Sequence, residues 1–346
     1  MKKIISFIIP AYNSQSYLQI VLDSLIHPDC LEDTEIIIVN DGSSDDTADI
    51  ASTYVQRYPE SIVLLNKENG GHGSAINVGT LAATGRYFKV IDADDWIVKE
   101  NLPDFIQILR YCTADVVLTP FHQVNMEDGT KSDWRMYCSA YERIYSLEEI
   151  VADWKSFDRC LTFHGITYKT EFYQNHRHEL PQGIFYEDQE YAAIPCCHAA
   201  SIYPVNLYLY QYLVGNGEQS VSNTNRLKRL SHVEQVTKDL LEYDASHPQL
   251  SAPSREYLFH KTEGVILSHY VVTCIIQKNK EKGRRDVARY NQMIRELSPA
   301  VYERILKKYK AYQLMNRIHL SERLYQRLMQ SRLYSVLRRT HRIERG

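Results

Sequence analysis

The sequence predicts an α/β fold: a buried, largely parallel sheet alternating with helices, followed by a helical C-terminal region. Three observations carry this. Short runs rich in Ile and Val recur at residues 4–10, 35–40, 61–66 and 87–91, helical patterns fill the intervals, and each run ends in polar residues. Continuous rather than alternating hydrophobicity marks strands covered on both faces, as in a parallel sheet. The first helix spans residues 16–26 and stops before Pro28. The second is expected to start with Ser43 or Ser44 as N-cap and Asp45 and Asp46 in its first turn, where carboxylates complement the helix dipole. The third covers residues 74–83 and is expected to close at Gly85. Four strands and three helices make a right-handed βαβ array.

Such a sheet binds ligands beyond the carboxyl ends of its strands. Chemistry is therefore sought at Tyr12 and Asn13, at Asp41, at residues 67–71 and at residues 92–95. Further on, residues 116–121 and 207–212 read as strands, and helices are expected near 147–154 and 187–197. After Gly215-Asn216-Gly217 the pattern is helical to the end, which sets a boundary near residue 215.

Composition narrows the function classes. With 346 residues, 44% hydrophobic and 24% charged, the chain has the composition of a globular protein with a substantial core. The net charge of -3 conceals an asymmetry: residues 302–346 hold 12 Lys and Arg against 3 Glu, a net +9, leaving -12 elsewhere. A basic tail on an acidic body fits a polyanionic partner for the tail alone, such as an anionic membrane surface. Nucleic acid is not expected, because no recognised module surrounds the basic run. Seven cysteines without C-x-x-C spacing suit reduced thiols in a cytoplasmic protein. The apolar start ends early at Pro10, no Asn-x-Ser/Thr acceptor occurs, and no segment reaches the length of a membrane span.

The strongest chemical element is Val90-Ile91-Asp92-Ala93-Asp94-Asp95-Trp96, a strand that delivers three carboxylates to its exit. Packed carboxylates repel and raise one another's pKa unless a cation compensates, so the arrangement asks for a divalent metal. Oxygen ligands suit Mg²⁺ or Mn²⁺ bridging carboxylate and diphosphate. Taken alone, the same residues also make an acidic turn before the next element.

Its context favours the metal. Residues 8–13 (Ile-Ile-Pro-Ala-Tyr-Asn), 38–47 (Ile-Val-Asn-Asp-Gly-Ser-Ser-Asp-Asp-Thr), Asn69-Gly70-Gly71 with Asn77 and Gly79, and Gly85 with Asp92 to Trp96 resemble, in order and spacing, the blocks of family 2 glycosyltransferases. The resemblance implies a GT-A fold over residues 1–215, with a nucleotide-binding half (1–100), an acceptor-binding half (101–215), and a helical region at 216–346. It implies inverting transfer from a UDP-sugar, of the hexosyl or N-acetylhexosaminyl class, to a glycan or lipid-linked glycan. By the same resemblance Pro10, Ala11, Tyr12 and Asn13 cradle the nucleobase, and Asp41 accepts the uracil imide N–H. Asn69 contacts base or ribose, Asp92 and Ala93 lie near ribose and diphosphate, and Asp94 binds Mn²⁺ or Mg²⁺. Many relatives carry an arginine before the asparagine equivalent to Asn77. Here Ile76 stands there, and His72 and Lys67 are the candidates for its contact.

Residues 185–191, Phe-Tyr-Glu-Asp-Gln-Glu-Tyr, resemble the family's Glu-Asp block. Direct displacement needs one base for the acceptor hydroxyl. Asp188 takes that role and Glu187 orients it or the acceptor. His164 is expected to be a satisfied structural histidine or to touch the acceptor. Residues 211–222 resemble a closing loop hinged at Gly215, Asn216 and Gly217. In the tail, Leu320, Leu324, Tyr325, Leu328 and Met329 share a helical side opposite Arg323 and Arg327, while Arg332 and Arg339 interrupt the stripe. That segment reads equally as a membrane-surface helix or as a packing helix of a homo-oligomer. Two rival readings stay open, a non-catalytic nucleotide-sugar-binding protein and a nucleotidyltransferase. The latter should carry a glycine-rich basic loop where this chain has Pro-Ala-Tyr-Asn.

Overall fold

The computed structural model describes residues 3–215 and 222–330. The chain packs as two units, Met1–Gln219 with His247–Lys261, and Ser220–Ser246 with Thr262–Gly346. The expected hinge residues Asn216 and Gly217, and Arg332 and Arg339 of the tail, lie outside the described residues.

The first unit opens with β1 (Ile5–Ala11), α1 (Leu18–Leu25), β2 (Thr34–Asp41), α2 (Thr47–Arg57), β3 (Ile62–Lys67), α3 (His72–Ala82) and β4 (Tyr87–Val90). β1 pairs in parallel with β2 and β4, and β2 with β3. Every residue of β1, β2 and β4 is buried, as their unbroken apolar runs require. β3 differs. It is the last strand of the sheet and turns residues such as Val63 to solvent, so its apolar run is not covered on both faces.

Two helix boundaries also differ from expectation. α2 begins at Thr47, and neither Ser43 nor Ser44 caps it. Asp45 instead accepts from the Thr47 amide and hydroxyl, and the Ser44 amide donates to Asn13 Oδ1. α3 ends at Ala82, with the Ala83 amide bonded to the Gly79 carbonyl. Gly85 serves a different purpose. A Cβ there would lie 2.6 Å from the Ser6 amide nitrogen, so glycine lets the chain pass against β1.

The unit continues with β5 (Trp96–Ile97), α4 (Leu102–Tyr111), β6 (Val116–Leu118), β7 (Phe121–Asn125), β8 (Lys131–Trp134), α5 (Leu147–Ala152), α6 (Trp154–Phe157), β9 (Ile166–Lys169), α7 (Thr170–Asn175), α8 (Asp188–Ala193), β10 (Ile202–Pro204) and β11 (Tyr210–Val214). The expected strand at 116–121 is two strands, in two sheets, separated by Thr119 and Pro120. Pro120 has no amide hydrogen to continue a ladder. The main sheet has the order β10-β6-β9-β4-β1-β2-β3, and β9 runs antiparallel to both its neighbours. A second sheet has the order β5-β11-β7-β8. The strand expected at 207–212 is β11, which begins only at Tyr210 and runs on to Val214, into the segment that resembles a closing loop, pairing with β7 and β5.

The remaining helices are α9 (Asn223–Lys228), α10 (Leu230–Ser246), α11 (Ala252–Tyr270), α12 (Lys280–Leu297), α13 (Pro299–Arg317) and α14 (Glu322–Gln330). α13 shows why the sequence reads as helix there: Ser298 accepts from the Val301 amide as N-cap and Pro299 fills the first position. Among the described residues no helix is long and apolar enough to cross a membrane.

Candidate active site

The exits of β1, β2, β3 and β4 converge, as a parallel sheet dictates. At β1, Pro10 and Ala11 are buried while the Tyr12 ring is 54% exposed. Asn13 adopts a left-handed backbone conformation, with φ of 49°. Its side chain is committed to the protein, accepting from the Ser44 amide, and its amide donates to the Ser43 hydroxyl.

Asp41, the last residue of β2, is 2% exposed. Its Oδ1 accepts from Lys67 Nζ at 2.5 Å and from the Gly70 amide at 3.0 Å, and its Oδ2 accepts from the Gly71 amide at 2.8 Å. Asn69 donates to the Asp41 carbonyl. The close approach depends on Gly42, with φ of 73° and room for no Cβ, which would fall 2.8 Å from the Asn69 amide nitrogen. Three donors leave one lone-pair direction on the carboxylate for a further donor. Lys67 is thereby spent on Asp41.

The 92–95 turn is held from the second sheet. Tyr210, on β11, donates its hydroxyl to Asp95 Oδ2 at 2.6 Å, and the Tyr210 hydroxyl oxygen accepts in turn from the Asp92 amide at 3.1 Å. The Leu213 amide donates to Asp95 Oδ1 at 2.7 Å. Burial, together with the charges of Asp92 and Asp94, pushes the Asp95 carboxyl well above the ordinary range. Asp92, Asp95 and His164 each bring one donor atom within 4.8 Å of the others, a donor set that fits a divalent cation. Asp94 is half-buried on the same turn and stands outside this trio. Ala93 between them is buried.

Beneath the turn, buried Lys89 on β4 donates to the carbonyls of His164 (2.7 Å) and Ile166 (3.0 Å), and burial draws its pKa down to about 7. The His164 ring stacks on Tyr212 with centroids 4.1 Å apart, and burial pulls it down to about 4 despite the nearby Asp92. It is not the satisfied structural histidine that the sequence suggests. Neither ring nitrogen has a hydrogen-bond partner among the described residues.

His72, the first residue of α3, joins the two chemical elements. Its Nε2 lies 2.8 Å from Asp92 Oδ1 and its Nδ1 2.6 Å from Glu187 Oε1. Burial opposes its charge, yet Asp92 and Glu187 together hold the imidazole well above its ordinary pKa. In return, burial pushes Asp92 up but the His72 cation outweighs it and keeps the carboxyl low. The approach is local in origin. Asn77 on α3 pins the Leu180 backbone through both its amide atoms, and a Cβ at Gly73 would strike Glu187 at 2.9 Å.

Glu187 is 3% exposed and follows Tyr186, whose φ of 71° is rare for a non-glycine residue. Asp188 opens α8, half-buried, and accepts from the Gln189 amide group at 2.8 Å. Burial and the adjacent Glu187 charge raise its pKa to about 6, against the pull of Gln189, Lys261 and His72. Glu187 thus binds His72 through Oε1. Lys261, on α11, donates to the Leu161 carbonyl, and no local sequence signal marks it.

Residues 6–173 match the profile described as glycosyl transferase family 2. This segment belongs to glycosyltransferase family 2. Among the relatives of this family 2 member, Glycosyltransferase GlyA of Streptococcus pneumoniae is 27% identical over 222 residues, covering 62% of this chain and 31% of GlyA. The uncharacterized glycosyltransferase EpsJ of Bacillus subtilis is 39% identical over 130 residues, 38% of this chain and 37% of EpsJ. The chain thus spans less than half the length of these curated relatives. Staphylococcus aureus TarS 1–349, solved with UDP-GlcNAc, superposes with a TM-score of 0.66 at 20% identity, over 90% of this chain and 89% of that one. The fold is GT-A, with helices after it, as the resemblance implied.

Proposed function

We propose that this family 2 member transfers a sugar from a UDP-sugar to an acceptor hydroxyl with inversion, assisted by a divalent cation. The observation that carries the reading is the His72 bridge, which ties Asp92 of the carboxylate turn to Glu187, the immediate neighbour of Asp188. A site for nucleotide alone has no need of a second, desolvated carboxylate pair beside that turn.

In this reading Tyr12 offers its exposed ring to the base, with Pro10, Ala11 and Asn13 shaping the cradle. Asp41 turns its remaining lone pair to the uracil N–H, and Asn69 meets base or ribose. Asp92 and Ala93 border the ribose and diphosphate. Asp94 would be a ligand of a Mn²⁺ or Mg²⁺ ion, which when bound would neutralise charge on the departing diphosphate. Asp188 takes the acceptor proton as the new bond forms at the anomeric carbon and the bond to UDP breaks. Its pKa near 6 leaves it ionised at neutral pH yet basic enough to share a proton.

The UDP-GlcNAc in TarS supports an N-acetylhexosaminyl donor within the hexosyl and N-acetylhexosaminyl classes. The match to the minor teichoic acid biosynthesis protein GgaB, 39% identical over 104 residues and 12% of its length, supports an envelope-polymer or lipid-linked acceptor. Leu324 and Leu328 of α14 are 47% and 45% exposed, on the helical side opposite Arg323 and Arg327, which supports seating of the +9 tail on an anionic leaflet at the cytoplasmic face.

The test is slow hydrolysis of a UDP-sugar panel, with and without Mn²⁺. Release of UDP from one donor, dependent on metal, is expected. UDP binding without turnover of any donor in the presence of acceptor extracts would instead make the chain a binding module.

A further inference from the structure

The carboxylate turn has a neighbour that the motif does not include. His164 lies two residues before β9, some seventy residues along the chain from Asp92, and reaches the turn only because β9 inserts between β4 and β6. Lys89 fixes that placement by gripping the carbonyls of His164 and Ile166. The ring is then boxed by aromatic groups: Tyr212 stacked at 4.1 Å, Phe121 and Tyr210 each at 5.1 Å, and Phe163 at 5.6 Å.

Packing therefore determines the ring's position, while its nitrogens have no hydrogen-bond partner among the described residues. The ring is half-buried, so its nitrogen edge stays available to a ligand. What lies within reach is a pair of carboxylate oxygens, one from Asp92 and one from Asp95, all three donor atoms within 4.8 Å of one another. Asp95 is 1% exposed, and its two protein donors leave lone pairs unused on both oxygens. Two carboxylates and an imidazole edge gathered at one point make a mixed oxygen and nitrogen donor set.

We propose that His164 is a direct ligand of the divalent cation, with Asp92 and Asp95 on its oxygen side, and that this nitrogen makes the site prefer Mn²⁺ to Mg²⁺. Mg²⁺ takes oxygen donors almost throughout, whereas imidazole binds first-row transition ions readily. The inference rests on the metal-assisted reading above, and Asp94 keeps the role given to it there. Lys89 acts as a positioning residue through the His164 backbone.

The experiment is pulsed EPR of Mn²⁺ added to the full chain with UDP. The wild-type spectrum should show nitrogen modulation from a directly bound imidazole, and uniform ¹⁵N labelling of histidine should change it. His164→Gln should abolish the modulation, lower Mn²⁺ affinity by about tenfold or more, and leave Mg²⁺ affinity nearly unchanged, so the preference between the two ions collapses. Wild-type protein that binds Mn²⁺ without histidine modulation overturns this inference and spares the metal-assisted reading. Wild-type protein that binds no Mn²⁺, with UDP or without, removes both. The wild-type spectrum alone decides the point should the variant fold poorly.

Discussion

Asp188→Asn should separate activity from stability, because the same burial that suits Asp188 to act as a base works against folding. Its pKa moves from the ordinary 3.8 to about 6. Two units at about 1.4 kcal/mol each amount to roughly 3 kcal/mol of preference for the protonated form in the folded state. The sign follows from proton counting. Between about pH 4 and 6 the folded chain holds the proton more tightly than the unfolded chain, so stability falls as pH rises through that window, and the full cost remains above it. Asparagine keeps the shape and never ionises. The variant should therefore be more stable than the parent by roughly 1–3 kcal/mol near pH 7.5, and the gain should vanish near pH 3.5. Transfer should fall by about 10²- to 10⁴-fold. In the parent, the rate should drop about tenfold per pH unit below 6, as expected for a base that titrates there. Urea unfolding of parent and variant at the two pH values, beside donor turnover, makes the measurement. Equal stability near pH 7.5 with turnover intact would refute the assignment of Asp188 as a desolvated base.

His72→Ala strands the buried Glu187 carboxylate without its cation, so the variant should lose roughly 2–4 kcal/mol of stability near neutral pH. His72→Gln, which retains one donor, should recover part of it; identical losses in the two variants would contradict the bridge. Since the pKa of His72 is raised, its contribution is complete in acid and fades only as pH climbs through that elevated value. Tyr210→Phe removes the hydroxyl that holds Asp95 and the Asp92 amide. Mn²⁺ affinity measured calorimetrically with UDP present should weaken by about 10- to 100-fold, and an unchanged affinity would mean that the turn holds its shape unaided.

The parts of this protein that were legible from sequence are those whose signals are local. β1, β2 and β4 announce themselves by unbroken apolar runs, and the polar exits at Asp41 and residues 92–95 follow because a parallel sheet faces its strand ends one way. β3 carries the same kind of run, and only pairing shows that it is an edge. The break at Pro120 was visible as a residue and invisible as a change of sheet. The sequence makes His72 a candidate for a missing contact, but the contact itself depends on Asn77 holding Leu180 one hundred and three residues away. Tyr210 and Lys261 carried no signal at all, since a tyrosine in a strand and a lysine in a helix are ordinary until tertiary packing aims them.

The arrangement of charge around His72 explains why the carboxylates in this region do not behave alike. Four of them, Asp92, Asp95, Glu187 and Asp188, lie close together and partly or wholly out of water, where like charges cannot all persist without compensation. One imidazolium answers two of them, Asp92 and Glu187, through its two nitrogens. The two left over are the next residue after Glu187 and the next carboxylate but one after Asp92, and both carry raised pKa values, Asp188 and Asp95. Each requires something that the described residues do not fully supply: for Asp95 a positive charge, for Asp188 a proton. Environments that push neighbouring titratable groups apart in this way mark distinct chemical tasks. A single histidine thus sorts one acidic cluster into a site for a cation and a site for a proton, and replacing it should damage both functions even though it performs neither.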